Sequence, residues 1–464
     1  MTIKSPKSPR IQVLHAKSGY DAAVYKQFED AKVKNMFDSD PSIFDSLELL
    51  AAFFELTIHV CNNTLADKEL IADLQAAKID LAFHHHMDFC QMSLIHHVGI
   101  KKWIYFSSLP PYPSLLNSVG EIVPTSVSPS YALQHGNQMS FLKRAQNFIY
   151  ETLNAYFRLV KQARAQTELA RRHLGRDVPD LEYFPKNANL MMLSTDAVLE
   201  FPIPTTQKVV HLGGFAAANS VGALNEKFST FIAKSSKVAV VSFGSWAVTE
   251  RMPSAWKEAL LNLFRAHPDT HFIWSCEEEI EVPENVLRTN WIPQAALLAN
   301  PKTKIFITHA GYNSLMEAVQ FGVPTISVPL FSFGDQVRNA HLFEQHGVSI
   351  RIEKREFTTE KLQGAYKEIL ENLSFEKRSE ELKRIIKKRP STAEQELNYW
   401  VDVVLNTEID LNLPNLSAFE FYSLDIMLFF VALIFAFFLF IRALGFWYYW
   451  SCYEMAYKQK VKLQ

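Results

Sequence analysis

Between residues 291 and 336 the chain gathers groups able to hold a polar, anionic ligand: Trp291 and Gln294, then Thr308-His309-Ala310-Gly311-Tyr312-Asn313-Ser314, then Glu317, and finally Asp335 and Gln336. An indole offers a flat face to a planar ring, imidazole, hydroxyl and amide groups donate to phosphate oxygens, and a carboxylate accepts from sugar hydroxyls. The elements that must position them can be read from the same stretch. Residues 305–307 form an apolar run of strand type, residues 313–321 a helix stopped by Gly322 and Pro324, and residues 325–330 a second apolar run, together a β-α-β unit. A helix starting directly after a parallel strand presents unpaired N–H groups and the positive end of its dipole at the carboxyl edge of the sheet, where ligands bind. Gly311, Asn313 and Ser314 stand at that start, so an anionic guest is expected. Upstream, residues 238–242 read as a buried parallel strand followed by Phe243-Gly244-Ser245, a second tight turn.

Each of these residues also has an ordinary structural alternative. Trp291 could be a core residue, Asn313 a helix cap and Glu317 a surface residue. It is their combination in one ordered segment that points to a site.

With 464 residues the chain is long enough for two domains, and 47 basic against 49 acidic side chains, a net charge of -2, point to no nucleic-acid partner. Four cysteines, Cys61, Cys90, Cys276 and Cys452, show no CxxC spacing, so buried or free thiols are expected. His84, His85 and His86 follow an expected strand at residues 79–83. Alternation lets only His84 and His86 converge, so a polar loop at a domain cleft is expected rather than a metal site. Residues 11–14 have the pattern of a short strand, and residues 20–36 and 46–52 of helices. Residues 61–74 read as one helix with a single apolar face, and residues 141–174 as an amphipathic, aromatic helical segment whose Phe and Tyr residues periodicity assigns to the core. Residues 377–388 read as a solvated helical face.

The ordered set WIPQ, THxGxNS, the following Glu317 and the Asp335-Gln336 pair resembles the donor signature of the UDP-glycosyltransferases, in the animal UDP-glucuronosyltransferase form. The similarity runs with gaps from about residue 61 to the end and is strongest over 238–348. It implies an α/β fold of two Rossmann-like domains of GT-B type, the first incomplete, followed by a C-terminal transmembrane helix. The implied arrangement is an acceptor-side domain over residues 1–214, a linker over 215–236, and a UDP-sugar donor domain over 237–405. A juxtamembrane segment over 406–423, a span over 424–446 and a cytoplasmic tail over 447–464 complete it.

The resemblance implies donor-binding roles for Gly244, Ser245, Trp291, Gln294, His309, Gly311, Asn313, Ser314, Glu317, Asp335 and Gln336. The implied reaction is metal-independent, with no cofactor beyond the co-substrate UDP-glucuronate or UDP-glucose. The sugar passes with inversion to a hydroxyl of a small lipophilic acceptor, as in detoxification conjugation. Between Pro-Leu-Phe and Asp-Gln the family carries one residue, whereas Ser332, Phe333 and Gly334 intervene here. On the acceptor side, His15 follows a strand-like run without the family's surrounding sequence, and the first β-α portion with its general base is expected to be missing. His85 occupies the place of the family's histidine-orienting aspartate, with Asp88 three residues on. The catalytic group is thus open, with Asp88 and His85 the candidates, and a catalytically silent member that binds UDP-sugar or partners active relatives is the alternative.

Residues 424–446 are apolar apart from Asp425 and Arg442, and the aromatic run 446–450 fits an interfacial belt. Lys458, Lys460 and Lys462 follow, whereas Glu408, Asp410 and Glu420 precede, so the positive-inside rule places the tail in the cytoplasm and the body in the lumen. Lys460 and Lys462 also resemble a dilysine retrieval signal of the endoplasmic reticulum, and Asn62, Asn372 and Asn415 begin N-x-S/T sequons. The N-terminal segment lacks an apolar run of the length a cleavable signal needs. Expected partners are UDP-sugar, a lipophilic acceptor, membrane lipid, and copies of the chain or of its relatives as a homo- or hetero-oligomer.

Overall fold

The structure, a computed structural model, describes residues 12–14, 16, 21–38, 43–131, 133, 136–215, 222–331, 334–414 and 416–462. His15, part of the expected linker (216–221), Ser332, Phe333 and Asn415 lie outside the described residues. The chain divides into two compact units, 1–412 and 413–464.

The larger unit is built on two wholly parallel sheets. The first holds β1 (Ala82–His85), β2 (Trp103–Ser107), β3 (Leu190–Leu193) and β4 (Val209–His211) in that order. The second holds β5 (Lys237–Ser242), β6 (Thr270–Ser275), β7 (Val286–Thr289), β8 (Thr303–Thr308), β9 (Thr325–Ser327) and β10 (Ser349–Arg351), ordered β10-β9-β8-β5-β6-β7. Apolar runs buried on both faces make the central strands β5 and β8, the pattern of a parallel sheet covered by helices on both sides. In the second sheet the chain leaves β5 in one direction, through β6 and β7, and β8 in the other, through β9 and β10. The carboxyl ends of β5 and β8 therefore flank the topological switch point, the place where an open α/β sheet forms a crevice. In the first sheet the order runs one way only, and among the described residues no strand precedes Ala82.

Several sequence expectations are corrected. The strand expected at 79–83 begins at Ala82, after Lys78 takes a left-handed conformation (φ 47°), so His84 and His85 belong to it. The single helix expected over 61–74 is two, Ile43–Ala66 and Lys68–Ala76, because Asp67 caps the second by accepting from the Leu70 N–H at 3.1 Å. Residues 12–14 form no strand. The helical segment after Ser140 is interrupted by a π-helical stretch, Tyr156–Gln162, between helices Phe141–Ala155 and Ala163–Leu174. Its first part is not core: Phe141, Leu142, Phe148, Ile149 and Leu153 are exposed.

The thiol expectation falls for two of the four cysteines and holds for the other two. Cys61 and Cys90 form a disulfide, while Cys276 and Cys452 are free. The bond ties helix Ile43–Ala66 to the start of helix Cys90–Val98 across 29 residues. Closing a loop of that length is worth about 3–4 kcal/mol by chain entropy. A Cys61→Ser, Cys90→Ser variant should accordingly unfold at markedly lower urea than the oxidised protein, and reductant should shift the oxidised protein but not the variant.

The segment leaving the first sheet is clamped to the second half. Asp196 forms an ion pair with Arg389 at 2.5 Å, its N–H donates to the Tyr312 hydroxyl at 3.1 Å, and Glu200 pairs with the buried Arg338, whose guanidinium lies 4.8 Å from the Phe201 ring centroid. Helix Ala22–Phe37 packs on the second sheet's layer. Phe28, Ala31 and Met36 share a core with Ala239, Trp256 and Phe357, and Lys354 donates to the Asn35 carbonyl at 2.8 Å.

In the smaller unit a helix runs unbroken from Leu424 to Lys462, past the expected end of the span at 446. Its 424–456 portion is long and apolar enough to cross a membrane, with an 18-residue window of mean hydropathy 2.9 in which no residue is buried. Residues 48–66 of the larger unit also meet that test, at 1.2.

Candidate active site

The carboxyl ends of β5 and β8 carry the two turns singled out in the sequence. Gly244 follows β5 with φ 78°, and Gly311 caps helix Tyr312–Phe321, which is separated from β8 by three residues and has no side-chain cap. The imidazole of His309 is held between these two glycines. A Cβ built on Gly244 would lie 2.4 Å from its Cε1, and one on Gly311 2.5 Å from its Nε2. Only hydrogen side chains leave room for the ring, and the following Ala310 takes a left-handed φ of 65° to turn the backbone into the helix. Asn339 supports the turn by donating to the Ala310 carbonyl at 3.2 Å and to the Asp335 carboxylate at 2.6 Å.

Two cavities meet here, and Ser245 lines both. One, of about 400 Å³, contains Gly244, Trp291, Gln294, Ser314 and Glu317. Trp291 is 70% exposed, so it is not a core residue. Gln294 donates to Glu317 at 2.7 Å and lies 3.2 Å from the Ser314 hydroxyl; burial pushes the Glu317 carboxyl up. The surface alternative for Glu317 is thereby excluded, and Asn313 makes no cap, since Gly311 holds that position. The second cavity, of about 440 Å³, brings His309, Gly311, Asp335 and Gln336 against His85 and His86 of the first domain. Gln336 already accepts from the Leu330 and Phe331 N–H groups at 2.8 and 3.2 Å, which leaves its NH₂ as the free end. Asn313 lies instead on a third cavity, of about 450 Å³, beside Met316 and His85.

The acceptor-side candidates separate. His85 lines the cleft and its Nε2 is 3.0 Å from the Ser108 hydroxyl. The Asp88 carboxylate accepts from the Cys90 N–H at 2.9 Å and so serves the start of the next helix. His84 is turned inward against the Asp88 carbonyl at 3.0 Å. Among the described residues no group of three or more His, Cys, Asp or Glu could hold a metal ion. Sequence reasoning missed Arg158 and Trp246, which also line the second cavity; Arg158 is turned inward by the π-helical stretch, a feature with no sequence signature.

Burial holds both His309 and His84 neutral, each pushed down to about 4 from 6.5. Between those values the unfolded chain binds more protons than the folded one, so this stability is present above pH 6.5 and is lost as pH falls toward 4. It is worth about 3 kcal/mol per residue. His309→Gln should flatten the acid limb of a stability-against-pH curve by the uptake of one proton, as read from urea midpoints between pH 4 and 8.

Taken as chemistry, the arrangement offers a flat exposed indole with amide and carboxylate groups at one end. An uncapped helix N-terminus with hydroxyls stands in the middle, and a carboxylate faces a second wall at the other end. A search for known relatives agrees with it. The model of the family described as "UDP-glucoronosyl and UDP-glucosyl transferase" matches residues 1–460. The chain is 32% identical over 384 residues to the putative UDP-glucuronosyltransferase ugt-48 of Caenorhabditis elegans, covering 80% of this chain and 72% of that protein. It is 27% identical over 381 residues to human UDP-glucuronosyltransferase 1A6, covering 81% and 70%. Among solved structures, the glycotransferase of kitacinnamycin superposes with a TM-score of 0.54 at 18% identity, covering 79% of this chain and 85% of that one, and the spinosyn forosaminyltransferase SpnP with 0.53 at 16%, covering 76% and 82%. Two parallel α/β sheets facing across a cleft are the GT-B architecture of those enzymes. On sequence and fold together, this chain belongs to the UDP-glucuronosyl and UDP-glucosyl transferase family.

Proposed function

We propose that the protein transfers glucuronate or glucose from UDP-sugar, with inversion, to an oxygen of a small lipophilic acceptor. The observation that carries this is the pair of cavities sharing Ser245 at the switch point between β5 and β8. Uracil stacks on Trp291 and reads Gln294, Glu317 accepts from the ribose hydroxyls, and the diphosphate takes the free N–H groups of helix Tyr312–Phe321 with Ser245, Ser314 and His309. Asp335 and Gln336 face the sugar. Leaving UDP develops negative charge where these preorganised donors point, which is the main stabilisation of the transition state. The apolar acceptor enters along Phe53, Phe54 and Tyr112.

The proposed setting is the endoplasmic reticulum membrane, crossed once by the C-terminal helix, with the larger unit in the lumen. The Cys61–Cys90 disulfide supports an oxidising compartment. One observation favours a second, catalytically silent reading: the Asp88 carboxylate is engaged at a helix start and does not orient a histidine in the cleft. Incubation with radiolabelled UDP-glucuronate and UDP-glucose across a panel of phenols, alcohols and carboxylic acids separates the two. Labelled conjugate with released UDP is expected; no turnover with UDP binding intact selects the silent reading.

A further inference from the structure

The N-x-S/T sequons play no part in the cleft, and the structure separates the two that begin among the described residues at Asn62 and Asn372. Asn62 stands inside helix Ile43–Ala66, next to Cys61 of the disulfide. It is half-buried, and its Oδ1 lies 2.9 Å from the His173 Nε2 of helix Ala163–Leu174. Asn372 is placed differently. It is the single residue between helices Thr359–Glu371 and Leu373–Lys387, ending one and capping the other with φ -90° and ψ 92°. Its whole sequon, Asn372, Leu373 and Ser374, is exposed.

The Asn372 amide divides its two ends. Its Oδ1 accepts from the Ser374 N–H at 3.1 Å, an Asx turn folded over the sequon, whereas among the described residues neither its Nδ2 nor the Ser374 hydroxyl makes a hydrogen bond. An N-linked sugar takes the Nδ2 and leaves the cap intact. Gly364, Lys367, Glu368 and Glu371 recur on one face of helix Thr359–Glu371 and, with Asn372, line an open surface groove of about 380 Å³. Gly364 puts no side chain into it, and a Cβ built there would meet nothing within 4 Å. The Glu368 and Glu371 carboxylates are acceptors for sugar hydroxyls along that groove. Glu376, in the first turn of the second helix, pairs with Lys304 near the amino end of β8 at 3.2 Å. Asn372 therefore lies by the amino edge of the second sheet, and a bulky group there leaves the crevice at the carboxyl ends open.

We propose that Asn372 is a modification site carrying an N-linked oligosaccharide, and that Asn62 stays bare. The inference rests on the luminal setting proposed above. In the step it implies, Nδ2 of Asn372 forms a bond to the anomeric carbon of a lipid-linked oligosaccharide diphosphate, and the bond from that carbon to the phosphate oxygen breaks. The electron pair leaves with the lipid diphosphate, and the amide gives up one proton to the transferring enzyme.

Full-length protein expressed in animal cells and recovered in sealed microsomes tests this. External protease reports which side of the membrane holds the larger unit. Treatment with peptide-N-glycosidase, followed by site-resolved peptide mass spectrometry, reads each glycosylated Asn as its conversion to Asp. A protected larger unit, conversion at Asn372 and none at Asn62 are expected. Ser374→Ala should abolish the conversion at Asn372 and Ser374→Thr should keep it, because the sequon needs the hydroxyl. Neither substitution removes the backbone N–H that Asn372 caps, so loss of the glycan is read without loss of the cap. A protected larger unit with Asn372 unconverted overturns the proposal, and so does conversion at Asn62 with Asn372 bare. Digestion of the larger unit by external protease falls first on the luminal reading, and it overturns the proposal by keeping Asn372 from the transferring enzyme.

Discussion

Gly244→Ala should both destabilise the protein and abolish measurable UDP binding. The position has φ 78°, where a side chain costs about 1–2 kcal/mol, and the new Cβ would lie 2.4 Å from the His309 ring. The same ring also lies close against Gly311, where a built Cβ would stand 2.5 Å from its Nε2. Relief therefore requires movement of the β5 or β8 turn, adding roughly 1–3 kcal/mol of the kind seen on overpacking, and it displaces Ser245 and the helix N-terminus together. A double-mutant cycle isolates the clash: adding His309→Ala to Gly244→Ala should recover the overlap cost but not the backbone cost, and should not restore UDP affinity. Independent, additive losses in the cycle would mean that the ring and the two glycines do not form one unit.

The second large effect separates binding from stability. Trp291 is exposed, so Trp291→Ala removes little packing and should change stability by less than about 0.5 kcal/mol. Stacking of a base on an aromatic ring is worth about 1–3 kcal/mol, so UDP affinity should fall roughly 5- to 150-fold. Thermal melting and calorimetric titration on the same preparation check both halves. A variant of lowered melting temperature with unchanged UDP affinity would return Trp291 to the role of an ordinary packing residue.

How much of this was legible in the sequence follows the range of the interactions. The second sheet and its switch point are local: apolar runs, Gly322 and Pro324, and the Gly244 and Gly311 turns each announce themselves within a few residues. The bland alternatives for Trp291, Asn313 and Glu317 needed the fold to exclude them, since exposure, capping and pairing with Gln294 are tertiary facts. Long-range features were less readable. The Cys61–Cys90 bond depends on two helices meeting, and the packing of helix Ala22–Phe37 on the second sheet's layer depends on Phe28 and Met36 finding partners more than 200 residues away. Helical periodicity misassigned Phe141 and Phe148 because an apolar stripe looks the same whether it faces a core or remains uncovered. Arg158 escaped altogether: among Lys and Arg residues on a helical segment nothing marks the one that a π turn rotates inward.

The central claim is that the crevice between β5 and β8 binds UDP. Titration of UDP into the full-length protein, its Trp291→Ala variant and a Trp291→Ala, His309→Ala double variant tests it most directly. The account predicts saturable binding to the wild type, weaker binding to the single variant and none measurable to the double variant with the fold retained; equal affinity in all three, or no saturable binding to the wild type, would contradict it.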